Sequence, residues 1–164
     1  MKTIWFCGED EKMLTTIAEY VGEELVNRNQ CVELIVHSEV GEILGRGLKD
    51  TPEDKTTFVD RLGFLGHLLH RNNIFTLVVS QNASVEDRKK VKEEYKNYLQ
   101  INIGAFKDLL CDLDLSPKDK PKDNAKKIVE YLMLENILPD QIKEVYSKDE
   151  EEEIRRRLED LGYV

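Results

Sequence analysis

Lys2-Thr3-Ile4-Trp5-Phe6-Cys7-Gly8 and, after a gap of six residues, Thr15-Thr16-Ile17-Ala18 decide the architecture. The first stretch is a run of β-branched and aromatic residues closed by glycine, which predicts a buried strand. The second lies in a helix over residues 14–28, where Ile17, Tyr20, Val21 and Leu25 recur at near-helical spacing. The unit is therefore strand, loop, helix.

Working outward, the same alternation continues. Asn27-Arg28-Asn29-Gln30 is a turn, and Cys31-Val32-Glu33-Leu34-Ile35-Val36 a second strand. Residues 38–48 are weakly helical and spotted by Gly41, Gly45 and Gly47. Asp50-Thr51-Pro52-Glu53-Asp54 reads as a helix start, and that helix runs to about Arg71. Ile74-Phe75-Thr76-Leu77-Val78-Val79-Ser80 has the composition of a central parallel strand. Ser84 is placed to cap a charged helix over 85–96, and 98–103 is a fourth strand. A short helical segment is expected over 105–111, a linker-like loop over 116–122 and an amphipathic helix over 124–134. Strands alternating with helices predict an α/β fold, a parallel sheet flanked by helices. Ligands in such sheets sit beyond the C-terminal strand ends, which places Gly8, His37 and Ser80 along one edge.

The 164 residues suit one domain with a sizeable core. Charged residues make up 35% and the net charge is −9, which argues against nonspecific nucleic-acid binding. No apolar run approaches the ~18–20 residues of a membrane span, and no signal peptide is visible. Three scattered cysteines predict a cytoplasmic chain without a disulfide framework, with Cys7 and Cys31 as small core residues.

Gly8 and Thr15 stand at the spacing of a nucleotide-binding phosphate loop, G-x-x-x-x-G-K-[ST], between a strand and a helix. Such a loop binds because successive backbone N–H groups converge on phosphate at a helix N-terminus. Here it reads Gly8-Glu9-Asp10-Glu11-Lys12-Met13-Leu14-Thr15. Met13 occupies the second glycine position and Leu14 the lysine position. Glu9, Asp10 and Glu11 put carboxylates where a polyanion would sit. At ~4 Å and an effective dielectric of ~20, each repulsion is on the order of several kcal/mol. Lys12 comes two positions early. The frame predicts a vestigial phosphate loop on Gly8, Thr15 and Thr16. The plainer reading is a strand-end glycine and an acidic helix start favoured by the helix dipole.

Five stretches in order carry a family resemblance: residues 4–8 with 15–18; Leu34-Ile35-Val36-His37-Ser38-Glu39; Pro52-Glu53-Asp54-Lys55; Val59-Asp60-Arg61-Leu62-Gly63; and 77–88, ending Glu86-Asp87-Arg88. They resemble the W-F-x-G…[ST]-T-x-A, D-G-D, x-x-D-R, I-R-R-x-G and I-S-P-x-R-x-x-R segments of adenylylsulfate (APS) kinases, P-loop kinases that phosphorylate the 3′-hydroxyl of APS with ATP. The resemblance runs from about residue 2 to 103, then weakly to 134. It implies a three-layer P-loop NTPase-like domain over residues 1–138, substrate contacts from Arg61 and Arg88, and a dimer.

Departures from the family pattern fall on its chemistry. The implied catalytic or magnesium-organising aspartate and substrate arginine of D-G-D-N-x-R become His37-Ser38-Glu39-Val40-Gly41-Glu42. Thr57 and Lys55 replace an asparagine and an arginine, and Gln81-Asn82-Ala83-Ser84-Val85 replaces I-S-P-x-R. The K-G-L-Y lid and F-T-G-I segment have no counterpart, because the stretch between Ile103 and Pro121 is too short. Phosphoryl transfer depends on positioning and electrostatic stabilisation, and one lost donor can cost ~10²–10³ in rate. The resemblance with these losses predicts a degenerate, catalytically inactive APS kinase-like protein. It would bind or regulate a protein partner (a second copy, or an active homologue) in sulfate assimilation or sulfate-ester metabolism. No catalytic residue, metal or cofactor is expected on this reading. The alternative is a divergent ATP- and Mg-dependent APS kinase using Lys12 or Lys55, and a third is a nucleotide or APS sensor.

Two lesser features complete the reading. His67 and His70, three apart on a helix, are a weak metal pair, and Thr15 with Glu39 a weak Mg²⁺ pair. Residues 139–164 predict an acidic/basic amphipathic tail helix. In it Glu151, Glu152 and Glu153 precede Arg155, Arg156 and Arg157 at i,i+4, beside an apolar stripe of Ile154, Leu158 and Leu161. It resembles the closing segment of some sulfatase-type enzymes, Y-[ST]-x-x-E-E…R-L-x-x-L-G-Y.

Overall fold

The computed structural model describes residues 2–80, 83–104, 108–139, 155–157 and 159. Five parallel strands form one sheet: β1 (Thr3–Gly8), β2 (Val32–Val36), β3 (Phe75–Val79), β4 (Tyr98–Ile103) and β5 (Leu113–Leu115), in the order β2-β3-β1-β4-β5. Five helices alternate with them: α1 (Glu11–Asn27), α2 (His37–Leu44), α3 (Pro52–Arg71), α4 (Val85–Glu94) and α5 (Pro121–Leu134). The predicted α/β sheet flanked by helices is the fold observed.

β1 is central because both its faces are apolar. Trp5 pairs in register with Val78 on one side and Gln100 on the other. Ile4 and Phe6 pack with Leu14, Ile17, Ala18, Val21 and Leu25 of α1 and with Ile128 and Leu132 of α5. Trp5 and Cys7 face the opposite layer, with Phe58, Val59 and Leu62 of α3 and Val91 of α4. Trp5, Phe6, Ile4, Leu14 and Ile17 are fully buried, and each large apolar side chain so buried contributes about 1.5–3 kcal/mol.

The helix starts follow local chemistry. Thr51 accepts the Asp54 N–H at 3.2 Å with Pro52 in the first turn, and Ser84 accepts the Asp87 N–H at 3.0 Å. Both are side-chain caps on otherwise unpaired helix donors. Gly66 lets α3 approach β1 and β4: a Cβ there would stand 2.6 Å from the Tyr98 hydroxyl and 2.9 Å from Thr3 Cγ2.

Several sequence expectations shift. α1 begins at Glu11, not at residue 14, because Asp10 caps it. α5 begins at Pro121, a favourable first-turn residue, so part of the supposed linker is helix. The expected helical segment over 105–111 lies partly outside the described residues, and residues 109–110 form a turn. β5 follows it, an edge strand of three residues that sequence periodicity cannot register. Cys31 is exposed rather than core, since it precedes β2 instead of lying in it. The expected tail helix over 139–164 lies outside the described residues beyond Pro139, except that Arg155, Arg156, Arg157 and Glu159 are helical and Arg155 pairs with Glu159 at 3.6 Å.

Candidate functional site

The C-terminal ends of the strands bring the head of α1 to the sheet edge. Gly8 closes β1 opposite Ile103. A Cβ on Gly8 would stand 2.5 Å from the Ile103 carbonyl oxygen and 3.1 Å from Leu14 Cδ2, so only glycine fits beneath the helix start. Asp10 is extended, and its Oδ1 accepts the Met13 N–H at 3.1 Å while its carbonyl accepts the Leu14 N–H at 3.0 Å. Residues from Glu11 onward are therefore helix, and only Glu9 and Asp10 separate it from the strand. Leu14 is fully buried in the core. Thr15 Oγ1 donates to the Glu11 carbonyl at 2.8 Å, and Thr16 Oγ1 to the Lys12 carbonyl at 3.0 Å. Of the predicted phosphate-loop residues, Gly8 lies at the strand end while both threonine hydroxyls turn back onto their own helix.

Along the same edge, His37 opens α2 where β2 ends. Its Nδ1 lies 3.1 Å from Ser80 Oγ, and its ring centroid 4.4 Å from that of Phe58. The expected grouping of His37 with Ser80 is thus a direct contact. Burial lowers the His37 pKa from its ordinary value, against a smaller upward pull from Glu11. Beside His37 opens a cavity of about 420 Å³, whose lining includes Gly41, Lys49, Asp54, Lys55 and Phe58. Its charges are partly committed: Lys55 pairs with Asp50 at 2.9 Å, and Asp54 Oδ2 accepts the Lys49 N–H at 2.9 Å.

The two predicted substrate arginines lie apart. Arg61 Nη1 donates to the Leu44 carbonyl at 2.5 Å and points its second contact, at 3.4 Å, to the Arg46 carbonyl. It ties the C-terminal end of α2 to α3. Arg88 is 5% exposed. Its Nη2 pairs with Asp108 at 2.6 Å, and its Nη1 reaches Gln100 Oε1 at 3.3 Å, Cys7 Sγ at 3.4 Å and Cys111 Sγ at 3.7 Å. Gln100 Nε2 returns a hydrogen bond to the Arg88 carbonyl at 3.0 Å. Burial opposes the charge on Arg88, but Cys7 and Asp108 outweigh it and raise its pKa.

Sequence reasoning did not foresee this cluster, because its members come from β1, α4, β4 and the turn before β5. Cys7, Arg88, Gln100, Asp108 and Cys111 have no common spacing in the sequence that would have marked them.

His67 and His70 have ring centroids 6.5 Å apart, and His67 stacks on Tyr95 at 4.8 Å. Among the described residues no group of three or more His, Cys, Asp or Glu side chains is arranged to hold a metal. Glu39 is exposed at the start of α2. Among the described residues no helix is long and apolar enough to cross a membrane.

Known proteins share both sequence and architecture with this chain. It is 31% identical over 114 residues to an adenylyl-sulfate kinase of Deinococcus deserti, covering 70% of this chain and 63% of the relative. It is 30% identical over 103 residues to a probable adenylyl-sulfate kinase of Synechocystis, covering 63% and 58%. The chain thus spans about three-fifths of the length of these curated relatives. An APS kinase structure from Mycobacterium tuberculosis superposes with a TM-score of 0.72 at 20% identity, covering 80% of this chain and 96% of that one. The shikimate kinase of Aquifex aeolicus shares the fold more distantly, with a TM-score of 0.56 at 12% identity over 82% of this chain and 98% of that one. The adenylylsulphate kinase family profile matches residues 1–114, and this chain belongs to that family.

Proposed function

We propose that this protein is a noncatalytic member of the family, a binding or regulatory partner in sulfate assimilation or sulfate-ester metabolism. The observation that carries the reading is Leu14, fully buried at the position where the phosphate-loop pattern has lysine. The residues at the head of α1 do not fit a triphosphate. The Met13 N–H is taken by Asp10, Glu9 and Asp10 are exposed acids, and the hydroxyls of Thr15 and Thr16 bond within their helix. A phosphate cradle needs free converging N–H groups and a cation.

On this reading residues 1–138 form the kinase-derived domain and 139–164 a helical docking tail. Gly8, Thr15 and Thr16 are a vestigial loop. The partner is a protein, either a second copy or an active homologue, met in the cytoplasm.

One observation favours the alternative of a divergent ATP-dependent APS kinase. The cavity between α2 and α3 opens at the ligand edge of the sheet and holds an aromatic face, Phe58, with two lysines, Lys49 and Lys55. In that case ATP and Mg²⁺ would be required, and Arg61 would have to leave its backbone carbonyls to meet substrate. Calorimetric titration with ATP and Mg²⁺ tests the choice. The noncatalytic reading expects no heat of binding at millimolar nucleotide and no APS-dependent ADP release in a coupled assay; turnover with APS would overturn it.

A further inference from the structure

We propose that Cys7 and Cys111 form a peroxide-responsive dithiol that closes to an intramolecular disulfide across the end of β1. The sulfurs share one neighbour, Arg88 Nη1, at 3.4 and 3.7 Å. That guanidinium is held in place by Asp108 at 2.6 Å and Gln100 at 3.3 Å. Both sulfurs also belong to the same packed layer, with Cys111 set against the cluster that holds Cys7 and Trp5. The neighbouring Cys111 and the charge of Arg88 outweigh burial and hold the Cys7 thiol below its ordinary range. Cys7 in turn, together with burial, pushes Cys111 up. The guanidinium beside Cys7 favours the thiolate that attacks peroxide, and Cys111, on the same guanidinium nitrogen, is placed as the resolving partner.

Access comes from one side. Cys7 is 6% exposed, whereas Cys111 is only half-buried, in the turn before β5. The oxidant must therefore be small, and hydrogen peroxide is the class that fits. The Cys7 thiolate attacks one peroxide oxygen and the O–O bond breaks. Cys7 becomes a sulfenic acid, and the departing hydroxide takes up the proton Cys7 had released, giving water. The Cys111 sulfur then attacks the Cys7 sulfur. The S–S bond forms, the S–O bond breaks, and hydroxide leaves with the Cys111 proton as a second water. The two sulfurs lose two electrons and one peroxide gains them.

Closure would tether the turn carrying Cys111 to the residue just before Gly8, coupling oxidation to the head of α1. The inference stands independently of nucleotide binding. Cys31 is exposed and serves as an internal reference.

The test uses the full chain, treated with equimolar hydrogen peroxide, denatured, alkylated and mapped by mass spectrometry without reduction. The expected result is a cross-linked peptide pair joining Cys7 to Cys111, about 2 Da lighter than the two thiol peptides together, reversed by dithiothreitol. In a C31S chain, alkylatable thiols should fall from two to none per peroxide consumed. Recovery of alkylated Cys7 and Cys111 after peroxide, or of a Cys111 sulfinic acid without a cross-link, would overturn the proposal. In C111S, dimedone should label Cys7; an unlabelled Cys7 in a folded C111S chain would count against it equally.

Discussion

Asp10 accepts the backbone N–H of Met13 at 3.1 Å, and this one bond moves the start of α1 back to Glu11. Without it the first turn has a free donor and no side-chain cap. Asp10→Ala should therefore cost about 1 kcal/mol of stability, read as a lower midpoint in urea with an unchanged slope. An unaltered midpoint would mean that solvent satisfies the turn equally well.

Leu14 sits directly beneath that cap and is fully buried. Leu14→Ala should cost about 2–5 kcal/mol, the range for a core leucine that leaves a cavity. Leu14→Lys should cost at least as much and gain no ATP affinity, because the side chain enters the core rather than a ligand cleft. A stable Leu14→Lys variant that binds ATP would show that the helix start can reopen into a loop.

Arg88 and Asp108 form a pair in which the arginine is almost wholly buried. Burial pushes Asp108 up, but the Leu110 N–H and Arg88 together bring its carboxyl below the ordinary range. Removing the arginine strands a partly buried carboxylate and the Gln100 amide. Arg88→Ala should cost about 3 kcal/mol or more, and Arg88→Lys should recover little, since an ammonium cannot span four partners as a fork does. Equilibrium denaturation of both variants measures the difference.

The depressed pKa of His37 sets a pH dependence. The folded protein resists protonating His37 while the unfolded chain accepts a proton near its ordinary value of about 6.5. Stability should be fully present above about pH 6.5 and decline as pH falls toward the folded-state pKa. His37→Gln should flatten that part of the profile relative to the parent chain between pH 7.5 and 5. A parallel pair of curves would remove His37 as the cause.

How much could be read without the structure differs by element. β1, β2, β3 and β4 were legible because each is a short β-rich run bounded by turn residues or a helix start. α3 was legible from Thr51 and Pro52 at its start. The start of α1 was not, because the spacing of Gly8 and Thr15 suggested a loop while Asp10 was already in place as a cap. β5 was hidden because Leu113-Asp114-Leu115 is too short to show alternation, and only its pairing with Ile101 and Ile103 makes it a strand. Gly8, His37 and Ser80 were placed on one edge by topology alone. The Cys7–Arg88–Cys111 grouping was not, since it depends on which face of β1 each side chain takes and on a turn with no periodic signal.

The position of β1 between β3 and β4 has a consequence during synthesis. Thr3 pairs with Thr76 and with Tyr98, so β1 is made well before either of its neighbours exists. Such distant pairing slows folding. Until then Ile4, Trp5 and Phe6 are an adhesive segment, the stretch that a chaperone would be expected to shield.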